Sequence, residues 1–218
     1  MGKISYLTQK QSLIFKEVAN DEFFRSNFYF TGGTALNAFY LHHRGSEDLD
    51  FFSEQNFDSQ IIIAKVNSWA KKYSFEIDLR QVENINVFIL EFPSKEEVKV
   101  DFVTHPYKRI EKGKFVNNFT IDSLADIATN KLLTINQRTE VKDFVDLYFL
   151  LKTYTIWDLM EGLRIKFRIK TEPFLIASDF TKVEEFDLLP KMLVPLELSE
   201  LKKFFRKKAK EIGRKAVE

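Results

Sequence analysis

The sequence contains no cysteine and little glycine or proline. Without cysteine there can be no disulfide, no thiolate metal site and no cysteine nucleophile. The 7 glycines and 5 prolines in 218 residues are under half of the usual joint share of about 12%. These are too few turn-forming residues for a sandwich or barrel of many short strands.

Long apolar runs are also missing. No stretch approaches the ~18 apolar residues of a membrane helix, and the amino terminus lacks the apolar core of a signal peptide. We therefore expect a soluble cytoplasmic chain with no membrane partner. Phenylalanine, by contrast, is abundant, with 23 residues against 7 Tyr and 2 Trp. Most of these rings stand inside apolar runs, so we predict that they fill a core and do not stack on bases.

Charge is distributed unevenly along the chain. Residues 201–218 hold eight Lys and Arg against two Glu, a net charge of +6, so the first 200 residues carry −5 of the total of +1. A basic tail on an acidic body can bind a nucleic-acid backbone. The alternative is the solvated face of an amphipathic helix, because Leu201, Phe205 and Ile212 recur at helical spacing. The sequence leaves both interpretations open.

Hydrophobic periodicity predicts an α+β fold, with a mixed β-sheet flanked by helices followed by a C-terminal helical bundle. We expect domains at 1–112 and 113–218 that share an active-site cleft. Helices are predicted at 9–19, 34–42, 59–72 (capped by Ser59), 122–136, 140–152, 155–169, 173–181 and 198–214. Four or five strands are predicted, at 28–31, 48–52, 75–79, 87–92 and 98–103.

A glycine pair followed by two aspartates is the strongest candidate for a functional site. Gly32 and Gly33 connect a predicted strand to a predicted helix, where backbone N–H groups can approach an anion closely. Thr34 adds a hydroxyl that can reach a phosphate oxygen. Alternation along the next strand places Asp48 and Asp50 on one face, where two carboxylates can share a hard cation such as Mg²⁺.

Asp101 is a third carboxylate that fits the same chemistry. It stands in an alternating strand that we expect to neighbour the first pair. Three carboxylates holding two cations can activate a hydroxyl and stabilise a pyrophosphate leaving group. Asp101 considered alone has the alternative of ending a strand or facing solvent.

Several segments together resemble the AbiEii/AbiGii family of nucleotidyltransferase-like toxins, within the polymerase-β-type superfamily. They are residues 31–36 (TGGTAL), 43–52 (HRGSEDLDFF), 99–102 (KVDF), 126–131 (DIATNK) and 138–148 (RTEVKDFVDLY). The resemblance covers roughly residues 28–152. The family occurs in abortive-infection and type IV toxin–antitoxin systems.

The resemblance implies that a nucleoside triphosphate is held over Mg²⁺, or Mn²⁺, by Asp48 and Asp50, with Gly33 and Thr34 at its phosphates. Asp101 completes the metal-binding triad. Thr34 stands where serine is commonest in the wider superfamily, which preserves the hydroxyl.

The resemblance also assigns importance to a helical lysine and to acidic residues of the next helix, here Lys131, Asp143 and Asp146. Lys131 occupies an otherwise apolar helical stripe, so its ammonium either extends to the edge of the core or meets an anion such as the triphosphate. Asp143 and Asp146 lie three residues apart on one helix face. They either bind substrate or position a base, or they form structural ion pairs with Arg138 and Lys142.

Arg44 and Ser46 precede the aspartates, and we predict that they order this loop and lie near the nucleotide. Arg44 can bind a phosphate or hold a nearby carboxylate. The histidines are poor candidates for a metal site, because His42 and His43 are adjacent and His105 precedes a proline. His43 falls within the family pattern, which allows it a supporting structural role.

The predicted function is a Mg²⁺-dependent nucleotidyltransferase toxin that transfers a nucleoside monophosphate to an acceptor, with a tRNA 3′ end as the first candidate. Its partners would be the triphosphate, an RNA and a separately encoded antitoxin, and we expect a monomer. The alternatives are transfer to a protein or small-molecule hydroxyl, and a nucleotide-binding regulator without turnover.

Overall fold

A computed structural model of the protein describes residues 6–215, and for Lys215 the backbone alone. The described chain forms two compact units. Unit 1 comprises 6–40, 46–108 and 112–122, and unit 2 comprises 41–45, 109–111 and 123–215.

Unit 1 is built on a mixed sheet of seven strands in the order β3-β4-β5-β2-β1-β7-β6. The strands are β1 (Tyr29–Thr31), β2 (Leu49–Ser53), β3 (Glu76–Val82), β4 (Ile85–Glu91), β5 (Glu97–Thr104), β6 (Lys114–Val116) and β7 (Phe119–Ile121). The β2–β5 and β1–β7 pairs are parallel, and the other neighbours are antiparallel.

Four α-helices accompany this sheet. They are α1 (Gln9–Asn20), α2 (Glu22–Asn27), α3 (Gly32–Leu36) and α4 (Ser59–Tyr73). A π-helical turn, Asn37–Leu41, continues directly from α3.

One face of the sheet is covered by phenylalanine-rich packing. Phe15 of α1 has its ring centroid 5.2 Å from Phe30 of β1 and 6.4 Å from Phe51 of β2. Phe24 of α2 stacks on Phe102 of β5 at 5.1 Å. All five rings are at most 1% exposed, which confirms the prediction that phenylalanine fills the core.

The same packing fixes the orientation of β2. Leu49, Phe51 and Ser53 are buried, while Asp50 and Phe52 are only partly buried. Because side chains alternate along a strand, Asp50 and Phe52 lie on the sheet face opposite the phenylalanine core.

The mixed sheet with flanking helices confirms the predicted fold class, while several element predictions were wrong in detail. The described residues contain seven strands, whereas four or five were predicted. The prediction missed β6 and β7 because they have three residues each and are too short to show periodicity. Helix α2, with six residues, was also missed. Asp58, and not Ser59, caps α4 by accepting the Gln60 N–H at 2.9 Å.

Unit 2 contains five α-helices and a short 3₁₀ turn, Lys182–Glu185. The helices are α5 (Leu124–Gln137), α6 (Val141–Leu150), α7 (Ile156–Phe167), α8 (Pro173–Thr181) and α9 (Leu198–Lys215). Phe205 of α9 packs edge-on against Phe144 of α6 at 5.1 Å and Phe180 of α8 at 5.0 Å. None of the helices in the described chain is long and apolar enough to cross a membrane.

A buried ion pair connects α5 to α7 in unit 2. Lys166 Nζ donates to Asp126 Oδ1 at 2.7 Å, and both side chains are fully shielded from solvent. The Asp126 carboxylate also accepts the Ser123 hydroxyl and the backbone N–H groups of Ile110 and Glu111. These bonds offset the cost of burying the carboxylate. Burial by itself raises the pKa of Asp126, but the charge of Lys166 and the hydrogen bonds from Lys166, Ile110 and Ser123 outweigh it and lower the pKa.

Candidate active site

The first glycine of the pair allows a close approach between two strands. Gly32 follows β1 with a φ of +74°, a conformation that L side chains rarely adopt. A Cβ on Gly32 would lie 2.1 Å from Asp50 Oδ2. The Asp50 carboxylate therefore occupies the space that any other residue at position 32 would need.

Strand register places two of the predicted carboxylates side by side. Asp50 of β2 is the Cα partner of Asp101 of β5 in the parallel pair, and such neighbouring strands lie about 4.8 Å apart. Asp48 directly precedes β2. Two aspartates of the predicted triad therefore lie in the β2–β5 strand pair of unit 1, and the third comes directly before β2.

Lys99, which the sequence analysis missed, lies between two of these carboxylates. Its Nζ is 2.8 Å from Asp101 Oδ2 and 3.5 Å from Asp48 Oδ2. Burial opposes the charge of Lys99, but the carboxylates of Asp101, Asp48 and Asp50 raise its pKa. The spacing of two residues from Asp101 was the available signal, since it puts both side chains on one strand face.

The residues of the triad fit a hard divalent cation. Asp101 Oδ1 is buried and accepts no hydrogen bond from the described residues. Burial raises the pKa of Asp101, and the nearby charge of Asp48 adds to this although Lys99 opposes it. Carboxylate oxygens are the ligands that Mg²⁺ prefers. In the present side-chain positions, no three His, Asp or Glu residues of the described chain form a complete metal cluster.

The loop before Asp48 is held by side chains of α1 and α3. Thr34 is 1% exposed, and its hydroxyl donates to Ser46 Oγ at 2.8 Å. Gln11 Nε2 donates to the carbonyl oxygens of Ser46 and Glu47 at 3.0 and 2.8 Å. Contacts of Gly33, Thr34 and Ser46 with a nucleotide stay predictions.

The remaining predicted residues meet in unit 2, in a buried ionic cluster that we call the Asp146 cluster. Lys131 Nζ of α5 lies 2.6 Å from Asp146 Oδ2 and 2.7 Å from Asp143 Oδ1 of α6. Arg44 binds Asp146 in a bidentate manner, with Nε to Oδ1 at 2.6 Å and Nη2 to Oδ2 at 2.7 Å. His43 Nε2 is 2.7 Å from the same Oδ1.

The alternatives for Asp143 and Asp146 can be compared with these contacts. Arg138 Nε donates to Asp143 Oδ2 at 2.8 Å, whereas Lys142 pairs with Glu140 at 3.0 Å. Both aspartates are fully buried, and both form ion pairs. Arg44 also binds a carboxylate, that of Asp146. A contact of Lys131 with a triphosphate stays a prediction.

Backbone bonds hold Arg44 in the Asp146 cluster. Gly45 N–H donates to the Lys191 carbonyl at 2.8 Å, and Leu193 N–H donates to the His43 carbonyl at 2.9 Å. Arg44 and Met192 thereby form an antiparallel bridge. The two residues are far apart in sequence, and no sequence pattern indicated that they are in contact.

The electrostatics of the cluster keep its carboxylates ionised. Burial opposes the charge of Asp146, but the charges of Lys131 and Arg44 and the bonds from His43 and Arg44 hold its pKa well below the usual range. Burial likewise opposes the charge of Asp143, whose pKa Lys131 and Arg138 lower. The pKa of Lys131 is raised by both aspartates against the effect of burial and the repulsion from Arg44.

Replacing Gly32 by alanine should destabilise the protein by about 2 kcal/mol or more, since a left-handed backbone costs an L residue about 1–2 kcal/mol and the new Cβ collides with Asp50. Urea unfolding measures the change. Gly213→Ala is the control, because a Cβ there meets nothing within 4 Å and should stabilise α9 by up to about 1 kcal/mol. Equal effects of the two substitutions would show that Gly32 is not constrained in this way.

Asp146→Asn should lower the free energy of unfolding by about 3–5 kcal/mol, because it leaves Lys131 and Arg44 buried with a weakened partner. Glu161→Gln, in the exposed pair with Arg164 on α7, should cost at most about 1 kcal/mol. Urea unfolding at several pH values measures both.

The pH dependence of the Asp146→Asn effect follows from the direction of the pKa shift. A lowered folded-state pKa contributes stability above the unfolded pKa of about 4 and loses it as the pH falls further. The difference from the wild type should therefore be constant between about pH 7 and 5 and shrink below about pH 4. A difference that grows on acidification would contradict the ion-pair assignment.

Comparison with known proteins identifies the family of the chain. Residues 14–215 match the family model described as "Nucleotidyl transferase AbiEii toxin, Type IV TA system". The uncharacterized protein aq_aa25 of Aquifex aeolicus (strain VF5) is 31% identical over 203 residues, which cover 85% of this chain and 88% of that protein.

A solved structure shares the fold. The crystal structure of JHP933 from Helicobacter pylori aligns with a TM-score of 0.60 at 21% identity, covering 97% of this chain and 95% of that one. The extent of the family match, which includes the triad of unit 1 and the Asp146 cluster of unit 2, identifies the chain as a member of the AbiEii family of nucleotidyl transferase toxins of type IV toxin–antitoxin systems.

Proposed function

We propose that this nucleotidyltransferase moves a nucleoside monophosphate from a nucleoside triphosphate onto the 3′ end of an RNA, with tRNA as the first candidate, in a reaction that needs Mg²⁺ or Mn²⁺. The observation that carries the proposal is the pairing of Asp50 with Asp101 in register, beside Asp48. A separately encoded antitoxin would neutralise the activity, as the type IV family description implies.

Asp48, Asp50 and Asp101 would hold the divalent cation. The cation, when bound, supplies charge neutralisation at the phosphates and lowers the pKa of a hydroxyl bound to it. Oδ1 of Asp101, which no donor of the described residues occupies, is the group of the triad best suited to meet an incoming positive charge or proton.

The reaction balances without any further co-reactant. The acceptor hydroxyl oxygen forms a bond to the α-phosphorus while the bond from that phosphorus to the bridging oxygen breaks, and pyrophosphate leaves. The hydroxyl proton passes to a carboxylate, for which Asp101 is the candidate because its Oδ1 accepts no hydrogen bond from the described residues.

The unit 2 residues are assigned a supporting role in this proposal. Lys131 already pairs with Asp143 and Asp146, and Arg44 already binds Asp146 through two nitrogens. The depth of burial of these carboxylates favours ion pairing that fixes α5, α6 and the 41–45 segment within unit 2.

The transfer assay combines the protein, unfractionated tRNA, each α-labelled nucleoside triphosphate in turn, and Mg²⁺. We expect label on RNA and its loss on chelation of the metal. Asp48→Asn and Asp50→Asn should each reduce transfer by at least about 100-fold, the range expected when transition-state charge stabilisation is removed. Asp78→Asn is the control, because Asp78 forms only an exposed pair with Arg80 on β3, and its activity should match the wild type.

Other outcomes would contradict the proposal in distinct ways. Label on protein alone would replace RNA by a protein acceptor. Nucleotide binding without transfer to any acceptor would favour a regulator without turnover. Full activity in the presence of a chelator would remove the role of the cation.

A further inference from the structure

The last helix of unit 2 is strongly basic and carries 8 of the 33 Lys and Arg residues of the chain. Residues 198–215, which form α9, hold eight Lys and Arg and two Glu, a net charge of +6 in a protein whose total is +1. Three apolar residues of this helix, Leu201, Phe205 and Ile212, are at most 2% exposed. They anchor α9 in unit 2.

The exposed cations of α9 form one continuous stripe, which we call the α9 basic face. At 100° per residue they fall within an arc of about 100° centred opposite the buried residues, and the stripe is about 16 Å long. Its members are Lys203, Arg206, Lys207, Lys210 and Arg214.

Acidic side chains neutralise only part of the α9 basic face. Arg206 pairs with Glu184, and Lys207 is 3.8 Å from Glu211. Lys203, Lys210 and Arg214 form no ion pair with the described side chains, and all three are exposed. A stripe of unneutralised charge with this length is complementary to a polyanion, since duplex nucleic acid carries one negative charge per about 1.7 Å of its axis.

The apolar surface of α9 is not available to a membrane. A helix that lies on a bilayer inserts its apolar face, whereas the apolar face of α9 is buried in unit 2 and the exposed large hydrophobic residues of the described chain include none from α9. Charge without exposed apolar side chains is typical of surfaces that bind a phosphate backbone.

We propose that the α9 basic face binds the phosphate backbone of the RNA acceptor. The inference rests on the proposed function for the identity of the acceptor, and it assigns to Lys203, Lys210 and Arg214 a role in RNA affinity separate from the chemistry at Asp48, Asp50 and Asp101.

The test measures binding of fluorescently labelled tRNA to the Asp50→Asn protein, without nucleoside triphosphate, over a series of KCl concentrations. The variant Lys203→Gln/Lys210→Gln/Arg214→Gln should bind about tenfold or more weakly at low salt and lose about 2–3 from the slope of log affinity against log salt. The control Lys16→Gln/Lys71→Gln/Lys112→Gln removes the same charge from exposed positions of unit 1 and should bind nearly as the parent does.

Three outcomes would overturn the inference. They are an equal loss in the two triple variants, no loss in the α9 variant, and α9-dependent binding to vesicles of phosphatidylserine and phosphatidylcholine in place of tRNA. Failure of the proposed function gives a different result from failure of this inference. If tRNA binding depends on α9 but the wild type transfers no nucleotide, the proposed function is wrong and the RNA-binding surface is supported. If transfer occurs and the α9 variant has an unchanged KM for tRNA, only the RNA-binding surface is wrong.

A different observation points to a positioning residue in unit 1. Gln11 is 2% exposed, and its side chain joins the start of α1 to the loop before Asp48. Oε1 accepts the Thr8 N–H at 2.8 Å, while Nε2 donates to the carbonyls of Ser46 and Glu47. The Glu47 carbonyl belongs to the peptide bond that leads into Asp48, so this hydrogen bond acts directly on the backbone of a triad residue.

We infer that Gln11 positions Asp48 for cation binding, an inference that also rests on the proposed function. Gln11→Met removes both bonds to the loop at similar side-chain volume. Thr8→Val is the control, because it removes the hydroxyl that accepts the Gln11 N–H and leaves the bonds from Gln11 to the loop in place.

Calorimetric titration with Mn²⁺ and thermal unfolding give two separate readouts. Gln11→Met should weaken Mn²⁺ binding at least fivefold and lower kcat with little change in the KM for the triphosphate, whereas Thr8→Val should bind Mn²⁺ as the wild type does. If Mn²⁺ affinity is unchanged in folded Gln11→Met protein, Gln11 is merely structural. If the wild type binds no Mn²⁺, the proposed metal site itself fails.

Discussion

The alternation of side chains along β2 and β5 is the constraint on which the candidate site depends. Phe51 and Phe102 point into the phenylalanine core, with ring centroids 5.3 Å apart, and the next residue toward the amino terminus in each strand is an aspartate. Burying the rings therefore places Asp50 and Asp101 together on the opposite face. A slip of one residue in either strand would bury a carboxylate and expose an aromatic ring, so core packing and site geometry are specified by the same register.

The buried and partly buried aspartates of the two units differ in how their negative charge is compensated. In unit 1 the Lys99 ammonium lies close to Asp48 and Asp101, and one oxygen of Asp101 has no donor among the described residues. A buried carboxylate oxygen without a donor, such as Oδ1 of Asp101, suits a site that binds a cation. In unit 2 the Asp146 carboxylate accepts bonds from Arg44, Lys131 and His43, so that its buried charge is compensated within the protein.

This difference supports the roles that we propose, cation binding for the triad of unit 1 and structural ion pairing for the Asp146 cluster of unit 2. Residues of the family pattern are found in both units, but Oδ1 of Asp101 in unit 1 accepts no hydrogen bond from the described residues, whereas both oxygens of Asp143 and of Asp146 in unit 2 accept at least one. Family membership alone does not separate residues that contact substrate from residues that hold helices together. In the structure Asp143 and Asp146 form ion pairs with Lys131, which supports the structural role that we propose for them.

The fold class, the phenylalanine core and the family could be predicted from the sequence, because they follow from periodicity, composition and several short motifs. Periodicity could not reveal three-residue strands such as β6 and β7. Nor could it reveal the partners of Gln11 or Arg44, whose bonds depend on where distant segments meet. Gln11 and Ser46 are 35 residues apart, and Arg44 and Asp146 are 102 apart. Only the tertiary structure decided these contacts, since the geometry of a hydrogen bond is set by the packing of whole elements and not by the local pattern of residues.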